Sequence, residues 1–332
     1  MLQKIFALPK NICMALLSLS VAVLSVGSLF GYFCRFGQIF EIASHFRIIY
    51  ALGFLICALG FLILRKWKPC LLTIVLFALC DFVPLAQLHF SNAQAHDRSP
   101  NMVTVFHANL WGGRNRNYDK TISLLKQRKP DLIGLSEVTP EWAIRLKNGL
   151  SDYPYRVVED RFGGVALFSR YPISESKIEY FEAGTRRRPR IIAKLDVNGQ
   201  PLTCQLVHPV IPLGKWFKYR NGEFKEIAEE ASQISGDKIL IGDLNCSPWS
   251  SYFAELVIQG GFKDSELGFG AQATWPTFVR FPLIPIDHCL TSESVKTVKR
   301  KVGPNIGSDH LPFQVTLALP LSSERTYKKR TI

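Results

Sequence analysis

The stretch "KILIGDLNCSPWS" (residues 238–250) decides the fold, because an apolar run ends abruptly in acid and amide side chains. Residues 238–242 are typical of a buried strand, and Asp243 and Asn245 follow it directly. Asp and Asn at this spacing also favour a simple turn. A buried carboxylate is costly unless it is paired or binds a metal, so an acid in this position needs a partner elsewhere in the chain.

The same arrangement recurs along the chain. Polar or ionisable side chains follow or begin apolar strand-like segments at Asn109, Glu137, His208, Asp287–His288 and Asp309–His310. Each alone has an ordinary structural interpretation: a charge at a helix N-terminus for Glu137, a buried histidine for His208, and a locally satisfied acid–histidine pair for the last two. Their joint occurrence in order predicts one converging site. Carboxylate and amide oxygens with histidine partners suit metal-assisted phosphoester hydrolysis.

Between these residues, strand-like and helix-like segments alternate without a strict βαβ repeat. The predicted strands are 103–108, 131–137, 155–158, 164–169, 176–181, 190–197, 201–207, 238–242, 286–290, 295–302 and 312–318, and the predicted helices are 117–129, 140–150, 222–235 and 250–259. This order predicts an α/β domain with substantial antiparallel sheet. We place this domain at 102–320.

The first ninety residues have a different composition. Only seven basic and two acidic residues lie before residue 97, out of totals of 40 and 27 in the chain. Long apolar runs predict about three transmembrane helices, at 13–33, 46–64 and 69–90, because a span needs about 20 apolar residues. We assign 91–101 as a linker and 321–332 as a disordered basic tail. Several apolar runs argue against a cleaved signal peptide.

Lys and Arg bias predicts the orientation of these segments. The N-terminus and second loop carry five basic residues, against three in the first loop and after the last segment. With three spans this places the N-terminus in the cytoplasm and the catalytic domain on the periplasmic or extracellular side of a multi-pass protein of the cell (inner) membrane. If the segment containing Asp81 only lies at the interface, the topology reverses. Asp81 marks a functional site, a partner contact or a weak span.

Charge and cysteine content set further bounds. Residues 97–332 keep 33 basic and 25 acidic side chains, a net of +8 that is too mild to establish nucleic-acid binding. Cys204, Cys246 and Cys289 lie in apolar surroundings without CxxC spacing. They are interpreted as buried residues, and neither a disulfide framework nor a zinc site is predicted.

Six motifs in order resemble the endonuclease/exonuclease/phosphatase superfamily. They are "HANLWGG" (107–113), "LIGLSEVTPEW" (132–142), "LVHP" (206–209), "IGDLNCSPWS" (241–250), "ATWPTF…IPIDHCL" (273–290) and "GSDHLPF" (307–313). The resemblance covers about 103–318 and is strongest to bacterial members with an apolar N-terminal region. It implies a four-layer α/β sandwich, in which two packed mixed sheets are flanked by helices and the site lies at one end of the sheets.

The resemblance also implies roles for individual residues. Glu137 would be the main Mg²⁺ ligand (Mn²⁺ as an alternative). Asn109 would support both the metal and the phosphate of the substrate, and Asp309 would lie close to the metal, directly or through water. Asp243 would orient or deprotonate the attacking water, and Asn245 would bind phosphate oxygen. His310, polarised by Asp287, and His208 complete the set. Which of His208, Asp243 and His310 is the base stays open, and His288 is interpreted as structural.

Substrate recognition is less constrained. Arg188 or Arg190 in "TRRRPR" (185–190) is a candidate phosphate contact, unless this is a solvated hairpin. The aromatic and basic stretch 211–224 fits a lid, a lipid-facing loop or a base-stacking surface. We expect a membrane-anchored phosphoester hydrolase, with nucleic acid or a phospholipid headgroup as substrate and no obligate protein partner. The alternatives are a lipid phosphodiesterase or phosphatase, and a catalytically inactive membrane binding module.

Overall fold

A computed structural model describes residues 9–90, 101–184, 187–279 and 284–320. The chain divides into two compact units, residues 1–87 with 249–251 and residues 88–248 with 252–332. We call them the N-terminal unit and the C-terminal unit. The predicted linker, apart from Asn101, and the predicted tail lie outside the described residues.

The described part of the first ninety residues is helical. The elements are α1 (Lys10–Phe30) with a 3-10 turn (Gly31–Phe36), α2 (Gln38–Ser44), α3 (Arg47–Ile63), α4 (Trp67–Phe77) with a π turn (Ala78–Phe82), and α5 (Val83–Phe90). Within the described residues, two helical stretches are long and apolar enough to cross a membrane, Lys10–Phe36 and Trp67–Phe90. The pair α2 and α3, bent by 63°, makes a third if it is one span. Two of the three predicted apolar segments are thus helices of spanning length, and their position in a membrane stays a prediction.

Asp81 has a partner inside the N-terminal unit. Its carboxylate lies 3.0 Å from Arg47 Nη1 and accepts a 2.5 Å hydrogen bond from Ser28 Oγ. Arg47 also stacks on the ring of Tyr32. Ser28, Arg47 and Asp81 belong to three different helical segments, so their contacts join these segments. A buried acid is stabilised by such polar partners, which agrees with a partner contact, one of the three interpretations given above for Asp81.

The C-terminal unit contains two mixed sheets. Its described strands are β1 (Met102–Asn109), β2 (Leu132–Val138), β3 (Tyr155–Glu159), β4 (Gly164–Ser169), β5 (Ile173–Tyr180), β6 (Pro189–Val197), β7 (Gln200–Val207), β8 (Asp237–Asp243), β9 (Lys263–Asp264), β10 (Asp287–Thr291), β11 (Lys296–Val302) and β12 (Phe313–Ala318). Among the described residues the strand orders are β11-β12-β1-β2-β4-β3 and β5-β6-β7-β8-β10-β9. The helices are α6 (Tyr118–Arg128), α7 (Pro140–Gly149), α8 (Trp216–Gln233) and α9 (Ser251–Gln259).

Alternating side chains along the strands build a four-layer sandwich. In β8, Ile241 faces the core between the two sheets, whereas Leu240 faces the outer core with residues of α8 and α9. In β1, Val105 faces the inter-sheet core and Phe106 faces α6 and α7. The predicted sandwich of two helix-flanked sheets is therefore confirmed.

One glycine marks a close approach of the two sheets. A Cβ at Gly134 in β2 would collide with the side chain of Ile241 in β8, and it would lie 3.1 Å from Leu206 of β7. The absence of a side chain at this point lets β2 lie against the β7–β8 pair. These strands carry several of the candidate site residues at their ends.

Two local predictions differ from the structure. Helix α8 begins at Trp216, six residues before the predicted start, so the stretch 211–224 is largely helical and is not a loop. Buried contacts extend this helix, since Arg220 stacks on Phe224 and the Glu223 carboxylate accepts a hydrogen bond from Val210 N. The two-residue strand β9 was not predicted, because it is too short to show an alternating pattern.

Candidate active site

The strand registers bring the polar strand ends together. β1 and β2 run parallel with Asn109 opposite Ser136, which places Asn109 beside Glu137. β7 and β8 run parallel with Val207 opposite Gly242, so His208 and Asp243 are neighbours. β10 is antiparallel to β8 and pairs Asp287 directly with Asp243.

Asn109 joins carboxylates that come from the two different sheets. Its amide Nδ2 lies 3.2 Å from Glu137 Oε1 and 2.9 Å from Asp243 Oδ2. Its Oδ1 accepts a 2.9 Å hydrogen bond from Trp111 N, which fixes the orientation of the amide. In this arrangement Asn109 holds the two carboxylates in place. Its role as a metal ligand stays a prediction.

Three side chains converge on one oxygen of Asp243. Besides Asn109, His208 Nε2 lies 3.5 Å and His310 Nε2 lies 3.6 Å from Asp243 Oδ2. Burial alone would raise the pKa of Asp243, but His310, His208 and the Asn109 amide together hold it well below its ordinary value. Asp243 is thus a carboxylate at neutral pH although it is 1 % exposed.

Asp287 and His310 form a buried pair. His310 Nδ1 lies 2.8 Å from Asp287 Oδ2, and Thr274 Oγ1 donates a 2.5 Å hydrogen bond to the same oxygen. Burial lowers the pKa of His310, but the charges of Asp287 and Asp243 outweigh it and raise the pKa to about 10. The imidazole is therefore positively charged at neutral pH, and its Nε2 faces the site.

Glu137 and Asp309 carry the oxygens that are free to hold a cation. Glu137 has φ +56° at an irregularity in the pairing of β2 with β4, and its side chain is 34 % exposed. A non-glycine residue in this backbone region is typical of functional sites. Asp309 Oδ2 accepts from Trp275 Nε1 at 3.3 Å, while its buried Oδ1 has no hydrogen-bond partner.

This donor set fits a hard divalent cation. Carboxylate oxygens with solvent access on one side are the ligands that Mg²⁺ and Mn²⁺ prefer. One oxygen each of Asp243 and Asp287 and one ring nitrogen of His310 also lie within 4.8 Å of one another. Hydrogen bonds within the protein engage both oxygens of Asp243, Asp287 Oδ2 and His310 Nδ1, whereas Asp309 Oδ1 and Asp287 Oδ1 have no such partner among the described residues. That Glu137 and Asp309 hold the cation stays a prediction.

Of the two candidate arginines, the structure places only Arg188 at the site. Arg188 Nη2 lies 2.6 Å from His208 Nδ1, and the side chain lines a cavity of 360 Å³ together with Glu137 and Phe162. Arg190 is instead surrounded by Glu179, Glu226 and Glu230, at 2.8–3.7 Å. These three carboxylates already satisfy its charge.

The remaining predicted residue, Asn245, follows Asp243 with φ +49°. Its backbone N donates to Asp243 Oδ1 at 2.8 Å and its Nδ2 donates to Pro209 O at 3.1 Å. The amide thus ties the β8 turn to the segment after His208. Asp309 and His310 are adjacent but have different hydrogen-bond partners, Trp275 for Asp309 and Asp287 for His310.

Sequence reasoning missed His107 and Thr274. His107 Nδ1 lies 3.4 Å from Asp287 Oδ1, and burial lowers its pKa to about 4, so it is neutral. Thr274 belongs to the "ATWPTF" motif quoted above, so its place in that motif could have indicated a role at the site. His107 in β1 contacts Asp287 in β10, which belongs to the other sheet. The sequence of β1 alone does not indicate this contact.

A family model described as "Endonuclease/Exonuclease/phosphatase family" matches residues 106–310. The chain belongs to this family. The match begins at β1 and ends at His310, so it contains every residue of the geometry above. The family fold is that of phosphoesterases that use divalent metals, and this chain has a cluster of acidic and histidine side chains, Asp243, Asp287 and His310, close enough together to hold a metal ion.

Solved structures show the same fold at low sequence identity. TDP2 from D. rerio, crystallised with a single-strand DNA product, has a TM-score of 0.57 and 19% identity, covering 65% of this chain and 98% of that one. Family proteins from Bacteroides vulgatus and Bacteroides thetaiotaomicron have TM-scores of 0.56 and 0.56, with 19% and 20% identity, covering 66% and 68% of this chain and 99% and 100% of theirs. The sequence has no significant match among curated proteins.

The charge of His310 gives a testable pH dependence. Because Asp287 holds the folded-state pKa at about 10, above the ordinary 6.5, the pair stabilises the fold fully below pH 6.5 and loses this contribution as pH rises through about 10. Asp287→Asn should lower the His310 pKa towards 6.5. Histidine ¹³C NMR titration of the metal-free chain measures it. The exposed Asp152→Asn is the control, and an unchanged His310 pKa in Asp287→Asn would contradict the assignment.

Proposed function

We propose that this protein is a membrane-anchored, Mg²⁺-dependent phosphodiester hydrolase. The observation that carries the proposal is the convergence of Asn109, His208 and His310 on Asp243 Oδ2, at 2.9–3.6 Å, with Glu137 beside it. An ionised carboxylate, a charged histidine and free carboxylate oxygens in one site meet the needs of phosphoester hydrolysis. A catalytically inactive binding module would have no need of this charged geometry.

Each residue has a defined task in the proposed reaction. Glu137 and Asp309 would hold the divalent cation, with Asn109 fixing the position of Glu137. When bound, the cation neutralises charge on the phosphate and polarises the P–O bond. The Asp243 carboxylate accepts a hydrogen bond from the attacking water and orients it towards phosphorus.

The histidines handle charge and protons around the phosphate. His310, kept as an imidazolium by Asp287, donates from Nε2 to a phosphate oxygen, whose negative charge increases as water attacks. His208 is 2 % exposed and lies between Arg188 and Asp243, so it can relay a proton between the water and the departing oxygen. Arg188 binds a second phosphate oxygen, where its planar guanidinium suits the geometry.

The first test removes the proposed metal ligand and the water-orienting carboxylate. Glu137→Gln and Asp243→Asn keep the side-chain size but remove the charge, so each should slow Mg²⁺-dependent hydrolysis of bis-p-nitrophenyl phosphate by about 100-fold or more. The full chain in detergent is assayed, with EDTA expected to abolish the rate. Glu175→Gln, at the surface, is the matched control. A wild-type rate in both variants would refute the site assignment.

A substrate panel then separates the candidate substrates. DNA, RNA, sphingomyelin and inositol phosphates are compared with the same enzyme preparation. The position of Phe162 favours a nucleic-acid strand, because this side chain is 61% exposed at the rim of the Glu137–Arg188 cavity and offers a surface for base stacking. TDP2 from D. rerio, which has a similar fold, was crystallised with a DNA product, and this is a second reason to test nucleic acid first.

Arg188 is predicted to act on substrate binding. Arg188→Gln removes a charge-assisted hydrogen bond worth about 1.5–3 kcal/mol, so kcat/KM should fall about 10- to 100-fold. The adjacent Arg187→Gln is the control, since Arg187 is exposed and stacks on Tyr180. Equal kcat/KM in the two variants would remove Arg188 from the substrate site.

The anchoring proposal predicts the location of the catalytic unit. The Lys and Arg bias with three spans places the C-terminus outside the cytoplasm. Alkaline phosphatase fused to the C-terminus should therefore be active, and a reporter that works only in the cytoplasm, fused at the same residue, should be inactive. The opposite pair of results would reverse the orientation, and recovery of the chain without membranes would exclude anchoring.

A further inference from the structure

A second cluster of ionisable side chains lies in the C-terminal unit, apart from the proposed catalytic residues. One oxygen of Asp264, one oxygen of Glu266 and one ring nitrogen of His288 lie within 4.8 Å of one another. Asp264 is 8 % exposed, and Glu266 and His288 are fully buried. Asp264 ends β9 and His288 lies in β10, so the cluster spans the edge pairing of one sheet.

The hydrogen bonds of this cluster leave three acceptors without donors. Asp264 Oδ1 accepts from Glu266 N at 2.9 Å, and Glu266 Oε1 accepts from Gln272 N at 2.5 Å. Within the part of the chain that the structure describes, Asp264 Oδ2, Glu266 Oε2 and His288 Nδ1 have no hydrogen-bond partner although each is buried. Buried acceptors without donors are rare in folded proteins, because each loses its hydration without replacement.

The tautomer of His288 directs a lone pair into the cluster. Its Nε2 lies 2.7 Å from the carbonyl oxygen of Cys246, to which it donates. Burial lowers the pKa of His288, so the ring is neutral and Nδ1 carries no proton. A histidine that donates one ring N–H to a backbone carbonyl and keeps the other nitrogen free is the usual form of a metal ligand.

The nearest cation does not complete the cluster. Arg300 is 2 % exposed, and its Nη1 donates to Ser265 Oγ at 2.9 Å while its Nη2 donates to Asp287 O at 3.0 Å. Its guanidinium also stacks on the ring of Phe313. Arg300 therefore reduces the net negative charge near the cluster but leaves its three free acceptors unoccupied.

We propose that Asp264, Glu266 and His288 form a second, structural site for a divalent transition-metal cation such as Zn²⁺. Two carboxylate oxygens and one imidazole nitrogen are suitable ligands for Zn²⁺, whereas the imidazole disfavours Mg²⁺ and Ca²⁺. In tetrahedral geometry, ligands at about 2.0–2.2 Å from a zinc ion lie about 3.3–3.6 Å apart. The three ligand atoms lie within 4.8 Å of one another, so the cluster would contract around a bound ion. Water can complete the coordination.

The site explains how a very short strand is held at the sheet edge. β9 pairs with β10 through only two residue pairs, Leu290 with Asp264 and Thr291 with Lys263. A cation bound by Asp264, Glu266 and His288 joins this segment to β10 directly. Because His288 follows Asp287, the same bond restrains the strand that carries the partner of His310.

Metal stoichiometry tests the proposal independently of hydrolysis. The full chain in detergent is stripped with a chelator, loaded with Zn²⁺ in excess Mg²⁺ and desalted, and zinc is measured by mass spectrometry. The wild-type chain should retain one equivalent, because Mg²⁺ competes for oxygen-rich sites and not for a site with an imidazole ligand. A wild-type chain that retains none would overturn the proposal.

Variants then locate the bound ion. Glu266→Gln keeps the volume and can hydrogen-bond to Asp264, so it preserves a purely structural role but removes an anionic ligand. Glu266→Gln and His288→Leu should each lose the retained equivalent and the rise in melting temperature on adding Zn²⁺, whereas Glu175→Gln and Glu137→Gln keep both. Retention of zinc in both cluster variants would show that the ion binds elsewhere in the chain and would overturn the proposal.

Discussion

The amide of Asn109 is the contact on which the candidate site depends, because it donates to carboxylates from both sheets. Glu137 ends β2 of one sheet, and Asp243 ends β8 of the other. Two carboxylates that approach a common donor repel each other unless hydrogen bonds or positive charge compensate. Here the compensation comes from Asn109, from His310 and from the Arg188–His208 pair. The inter-sheet packing at Gly134 supplies the short separation that this arrangement requires.

The same geometry gives the acidic residues of the candidate site different environments. Asp243 is held ionised by the donors around it, and Asp287 keeps His310 charged. Burial raises the pKa of Asp309 above its ordinary value, and its Oδ1 is free. A buried carboxylate oxygen without a hydrogen-bond partner is costly to keep charged. A bound cation would remove this cost. The differences in environment thus separate the proposed metal-binding carboxylates from those that position water and histidine.

The strand ends could be predicted from sequence, because an apolar run followed by Asp243, Glu137 or His208 is a local pattern with a local physical cause. The family resemblance added the sandwich of two packed sheets with the site at one end, which no single run indicates. What could not be predicted are contacts across the sandwich, such as His107 with Asp287, and the early start of α8. Both depend on side chains that are distant in sequence. For α8, one such side chain is Tyr252, on whose ring Arg220 stacks. The choice between Arg188 and Arg190 also required the positions of Glu179, Glu226 and Glu230.

His288 and Asp287 show how one strand contributes to two clusters of ionisable side chains. Adjacent residues of β10 point to opposite faces, so Asp287 faces His310 while His288 faces Asp264 and Glu266. Arg300 reinforces this coupling, because it donates both to the Asp287 carbonyl and to Ser265 between the two acids. If β10 shifted so that the unpaired acceptors around His288 gained hydrogen-bond partners, Asp287 on the opposite face of the strand would move as well. The geometry that keeps His310 charged is therefore tied to whatever occupies the Asp264–Glu266–His288 cluster.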